Sequence, residues 1–182
     1  YDYYESEFYF QVRKEGFFER RENMNKTRRL AIDLAMCMSA ADGFIDQSEL
    51  DTINNWVEKI SSMEDEEDRQ EFINQFSNLI HVAHHKAASG TLSLGDTIQS
   101  INQCAEDEDK FEAVELILDV MTADGKADQS EMSMLDSVTA NLQLDPSKVR
   151  ALRDKRIANA DSQSALRELQ VEFIDRFGLL PS

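Results

Sequence analysis

Ala41-Asp42-Gly43-Phe44-Ile45-Asp46-Gln47-Ser48-Glu49-Leu50 returns 82 residues later as Ala123-Asp124-Gly125-Lys126-Ala127-Asp128-Gln129-Ser130-Glu131-Met132. The register extends backwards, pairing Ala31-Ile32-Asp33-Leu34 with Ala113-Val114-Glu115-Leu116, and forwards, pairing Ile53 with Leu135 and Trp56 with Val138. Two helix-turn-helix units of one pattern imply a duplicated bundle in which each unit buries the other's apolar face.

Helix punctuation accounts for much of the repeated turn. Gly43 and Gly125 suit the left-handed residue that follows a helix, and Asp46-x-x-Glu49 and Asp128-x-x-Glu131 have the spacing of a capping box. Asp42 and Asp124 are not explained this way. A carboxylate in the last turn of a helix meets the negative end of the dipole, at a cost of several tenths to about 1 kcal/mol. Donors from the following turn, or a bound cation, would compensate.

The turn also has the form of the second half of a calcium loop. With Asp42 at loop position 5, the first and third positions fall on Met38 and Ala40, and in the second copy on Val120 and Thr122. Both leading carboxylates are missing, which argues against a regular EF-hand. A divalent-cation site (calcium, zinc or manganese) assembled from Asp42, Asp46 and Glu49, or shared with Asp124, Asp128 and Glu131, stays open. These six residues are the candidate metal ligands; no other cofactor is implied, and no catalytic residue is assigned.

Apolar spacing predicts helices around the turns. Leu30, Leu34 and Met38 recur on one face of a helix from Lys26 to Ala41, and Leu50, Ile53, Trp56, Val57 and Ile60 mark the next, from about Gln47 to Ile60. The acidic run Glu64 to Asp68 opens a third, with Phe72, Phe76, Leu79 and Ile80 on its inner side. A loop at Ala87 to Thr91 precedes helices from about Gly95 to Ala105, Lys110 to Ala123 and Gln129 to Asn141. Asp145-Pro146 starts another, and a last one runs from about Asp161 to Phe177. With the aromatic segment Tyr1 to Glu22 as a further helix, the expectation is a single all-α bundle of eight or nine helices. Its parts are an N-terminal arm over 1–26, a duplicated domain over 27–149 and a C-terminal helical extension over 150–182.

Charge is unevenly spread over this organisation. Residues 31–145 carry 25 acidic and 5 basic side chains, whereas 1–30 and 146–182 are weakly basic, which leaves a net charge of -17. Such a body repels DNA, RNA and anionic lipid and favours cations and basic protein partners. Cys37 and Cys104 lack metal-binding spacing and read as buried free thiols. His81 and His85 share a helix face without an HExxH frame and read as surface histidines near a helix end. No nucleophile motif or phosphate loop is present, so a binding or scaffolding role is favoured over an enzyme.

The doubled Ala-Asp-Gly-x-x-Asp-x-x-Glu between amphipathic helices resembles the tellurite-resistance TerB family, which includes the N-terminal domain of a membrane-anchored DnaJ-like co-chaperone. The resemblance covers about Thr27 to Val149. It implies an all-helical duplicated bundle with acidic residues around a divalent-metal site, a role in stress response, and association with chaperone or membrane complexes. The matching positions are Asp42, Asp46 and Glu49, and Asp124, Asp128 and Glu131; Lys126 beside Asp124 weakens the metal case for the second copy. The resulting expectation is a stress-associated, non-enzymatic binding module with a protein partner, cytoplasmic and in some settings at the inner face of a membrane, reached only through an anchor outside this stretch or through a partner. A metal-free regulatory domain of a co-chaperone-like complex is the alternative, and a metal-dependent hydrolase built on the clustered carboxylates is a third.

Overall fold

The computed structural model describes residues 2–41, 43, 45–124 and 129–177. Among them lie seven helices and no strand: α1 (Asp2–Ala40), α2 (Gln47–Ser61), α3 (Glu66–Ala88), α4 (Leu94–Cys104), α5 (Asp107–Met121), α6 (Gln129–Asn141) and α7 (Pro146–Phe177). The all-α expectation holds; the count of eight or nine does not. The aromatic segment and the Lys26 to Ala41 helix are one helix of 39 residues, and the two C-terminal helices are one of 32. Gly16 is the sole glycine within α1, and a single mid-helix glycine costs only about 1 kcal/mol relative to alanine. After Pro146 at its first position, α7 contains neither glycine nor proline.

Residues α1 and α5 share rise together along both helices. Arg20 faces Glu106 and Glu108 at 3.8 and 3.5 Å. Arg28 Nε donates to Glu112 Oε1 at 2.8 Å, and Met38 and Met121 border one cavity. The docked part of α1 therefore runs parallel to α5, and both helices end at the same side of the molecule. Burial follows the repeat. Ala31, Ile32, Leu34, Ala35, Met36 and Met38 are buried, and so are their counterparts Ala113, Val114, Leu116, Ile117, Leu118 and Val120.

Two apolar clusters form on either side of this pair. Ile32, Ala35 and Met36 join Ile53, Trp56 and Val57 of α2 and Phe72, Phe76 and Ile80 of α3. Leu34 and Met38 join Ile98 and Ile101 of α4, Leu135 and Val138 of α6, and Val149 of α7. A helix that is apolar nearly all round belongs inside, and α1 and α5 each supply residues to both clusters. The rings of Phe72 and Phe76 stack with centroids 4.4 Å apart.

Buried cations satisfy backbone and side-chain acceptors at the other end. Lys110, 6% exposed, donates from Nζ to the Leu142 carbonyl at 3.0 Å, where the last carbonyls of α6 need donors. Arg28 holds the equivalent place in the first repeat and binds Glu112; Arg21 pairs with the buried Glu64. The end of α3 is closed at Gly90 (φ 70°), within the stretch the sequence marks as a loop, where Gly90 N donates to Ala87 O and Thr91 N to Lys86 O. Gln143 takes the same left-handed conformation after α6 without the freedom of glycine. Cys37 and Cys104 are free, but half-buried rather than buried. Burial, with Asp33 nearby, pushes the Cys37 thiol up to about 11.

The equivalent substitutions Leu34→Ala and Leu116→Ala are each expected to lower unfolding free energy in urea by about 2–5 kcal/mol. Leu169→Ala, at an exposed position of α7, should change it by no more than about 0.5 kcal/mol. Equal effects at all three sites would contradict the central placement of α1 and α5.

Candidate functional site

Because α1 and α5 run parallel and end together, the turns that follow them face one another. After α1, Gly43 adopts φ 107° and its N–H donates to the Ala40 carbonyl at 3.0 Å. Asp46 then caps α2: its Oδ1 accepts from Ser48 N at 3.1 Å, while Glu49 Oε2 accepts from Asp46 N at 2.7 Å. The first copy of the repeated motif is thus a formed capping box. In the second copy Asp124 is exposed beyond α5, and Glu131 is half-buried in the first turn of α6. Asp42 and Asp128 lie outside the described residues, as do Phe44 and 125–127.

The fold brings four of the six sequence-predicted residues together. Asp46, Glu49, Asp124 and Glu131 border one cavity of about 220 Å³, with two from each repeat. Ser39, the last serine of α1, also borders it, is 6% exposed, and has an Oγ without a hydrogen-bond partner; the Ser48 Oγ on the same cavity is equally unpartnered. A buried hydroxyl left without a partner costs about 1–3 kcal/mol, so these oxygens are places where water or a ligand supplies a hydrogen bond. Among the described residues no group of three or more His, Cys, Asp or Glu side chains is disposed to hold a metal ion. A second cavity of about 160 Å³ adjoins the first. Ser39, Glu49, Met121 and Glu131 border both, and Met38 and Met134 complete its apolar side.

Sequence reasoning passed over Ser39, Met121 and Met134, and read Met38 only as part of a helix's apolar face, because each sits at an unremarkable helical position. The visible signal was the convergence itself: parallel helices that end in the same motif must present it at the same end. His81 and His85 are exposed and His84 half-buried near the end of α3, where the sequence placed surface histidines.

A separate ion cluster lies on the outer side of α5. Arg156 donates from one guanidinium nitrogen to Asp119 Oδ1 at 2.6 Å and from the other to Glu115 Oε2 at 3.1 Å, which ties α7 to α5. Burial raises the Asp119 carboxyl from its ordinary value, opposed by Arg156. Burial likewise raises Asp33 and Asp109. Hydrogen bonds from Ser147 lower the exposed Asp145.

Two measurements test these assignments. Asp46→Ala should lower stability by about 1 kcal/mol and Asp46→Asn by only a few tenths, since asparagine caps as well as aspartate; equal losses would assign Asp46 to charge rather than to capping. For the three raised carboxyls the folded-state pKa exceeds the unfolded one, so the native chain holds more protons between the two values and stability falls as pH rises through that window. Asp145 acts in the opposite sense, and the net charge of -17 reinforces the fall. The urea midpoint should therefore fall as pH rises from about 4, the unfolded carboxyl value, and Asp33→Asn should flatten that fall. A midpoint that rises with pH would contradict the burial of these groups.

No curated protein and no solved structure matches the chain. A family model described as Tellurite resistance protein TerB matches residues 28–154. That span starts at the buried Arg28 beside α5, takes in both turns, and ends two residues before the Arg156 clamp. With a duplicated helical bundle whose repeated acids meet at one end, the chain belongs to the TerB family.

Proposed function

We propose that this chain is a non-enzymatic binding module of the stress-response kind that TerB membership suggests, with its ligand-binding end at the paired turns. One observation carries the reading: acids from both copies of the motif border one cavity into which the buried Ser39 Oγ brings an unsatisfied acceptor. The carboxylates and hydroxyls that border it are hard oxygen donors, the chemistry of calcium, magnesium and manganese. The four described carboxylates do not by themselves close a metal site, and Glu49 already serves the cap through Oε2. A complete divalent site would draw on Asp42 and Asp128 as well, with Asp46, Glu49, Asp124 and Glu131 as its described members. The acidic body surrounding the turns favours a cationic occupant of any kind.

A metal-free protein-protein role is the second reading, supported by exposed apolar side chains on the two long helices. Phe17 and Phe18 on α1 and Leu166, Leu169 and Val171 on α7 are all at least 60% exposed. No helix among the described residues is long and apolar enough to cross a membrane, so these side chains would serve contact with a partner rather than a span.

The deciding experiment is calorimetric titration of metal-stripped protein with calcium, manganese and zinc. The comparison is a variant carrying Asp46→Asn, Glu49→Gln, Asp124→Asn and Glu131→Gln, which keeps side-chain shape and capping acceptors while removing charge. Saturable binding in the native chain that is lost in a folded variant supports the cation reading. Absence of binding, or binding that survives the four substitutions, overturns it and leaves the second reading.

A further inference from the structure

The cavity beside the acidic one has a different chemistry. Met38 at the end of α1, Met121 at the end of α5 and Met134 on α6 border it, so both copies of the repeat contribute. Methionine is flexible and polarisable and is over-used where a surface must fit a variable aliphatic group. At about 160 Å³ the space compares with a cavity of about 150 Å³ that accepts a six-carbon ring. It has room for a side chain and not for a helix. Besides Ser130, its polar lining is the wall it shares with the acidic cavity, where Glu49, Glu131 and the unpartnered Ser39 Oγ border both spaces.

An apolar hole that opens on carboxylates at one wall matches a group with a hydrocarbon stem and a cationic head. We propose that this cavity receives a lysine side chain from a basic partner segment, with the stem against Met38, Met121 and Met134 and the ammonium directed to Glu49, Glu131 and Ser39 Oγ. The inference rests on reading the acidic cavity as a cation seat and specifies an organic cation for it. Long-range charge favours the same occupant, because the 25 acidic and 5 basic side chains of residues 31–145 draw basic segments to this body. The ammonium has three donors, and Ser39 Oγ is a buried acceptor for one of them. The stem contributes by leaving water for the methionine surface, as aliphatic side-chain stems do when the charged head stays in a polar place.

Charge and stem length can be separated. The full chain, in EDTA so that no divalent cation takes part, is titrated with a labelled peptide bearing four lysines on one helical face. A second peptide replaces each lysine with 2,4-diaminobutyric acid, two methylenes shorter at the same charge. The methyl resonances of Met38, Met121 and Met134 are followed in methionine-methyl-labelled protein. The lysine peptide should bind roughly tenfold more tightly than the shorter one, as expected for two methylenes removed from water. It should shift the three methyls and lose affinity in Glu49→Gln/Glu131→Gln. Equal affinity for both peptides, or methyls that do not move, would overturn the proposal by reducing attraction to surface charge. Divalent-cation binding is read by its own titration, so failure of either reading leaves the other's result intact.

Discussion

The parallel contact between α1 and α5 is the constraint from which the other features of the molecule follow. Each helix is apolar on most of its circumference between Ala31 and Met38 or between Ala113 and Val120, so neither is stable in water without the other and without cover on both sides. Packing them side by side in the same direction leaves two apolar flanks. The helices after each turn cover them, α2 and α3 on one side, α6 and α7 on the other, with α4 closing the second. Parallel direction also decides where the repeated turns go. An antiparallel pair would have set the two acidic turns at opposite ends of the body, and no shared cavity would exist.

That placement has an electrostatic cost. Four carboxylates are gathered where two helices end, and the dipoles of α1 and α5 add negative character there. Part of the cost is offset by the helices that begin at the same place: Asp46 and Glu49 lie at the positive end of α2 and satisfy its free N–H groups. The remainder shows in the unpartnered Ser39 and Ser48 hydroxyls, which water or a ligand must satisfy. The opposite end of the body is treated differently. There Arg28 and Lys110, one from each repeat, are buried against a carboxylate and a carbonyl.

Much of this was legible in the sequence, for identifiable reasons. The offset of 82 residues gave the duplication, and the buried sets at Ala31 to Met38 and Ala113 to Val120 match it position by position. The box at Asp46 and Glu49 was read from spacing alone and is formed. Helix number was not legible, because propensity marks where a helix can stop and only packing decides whether it does; Gly16 was not enough to stop α1. The second cavity was invisible for a related reason. Met38, Met121 and Met134 look like ordinary core residues in their own helices, and only the parallel packing of α1 and α5 with α6 beside them sets three methionines around one space.

The two long helices give the molecule a property that neither cluster nor cavity supplies. α1 extends some 18 residues, about 27 Å, beyond its pairing with the start of α5, and α7 continues past the end of α5 on the opposite side. Both are continuous with helices locked into the body. Anything attached to one end is therefore held at a set rotational phase to anything attached to the other, because an uninterrupted helix fixes about 100° of turn per residue. The two long helices thus act as a keyed shaft whose ends keep one rotational relation across the body.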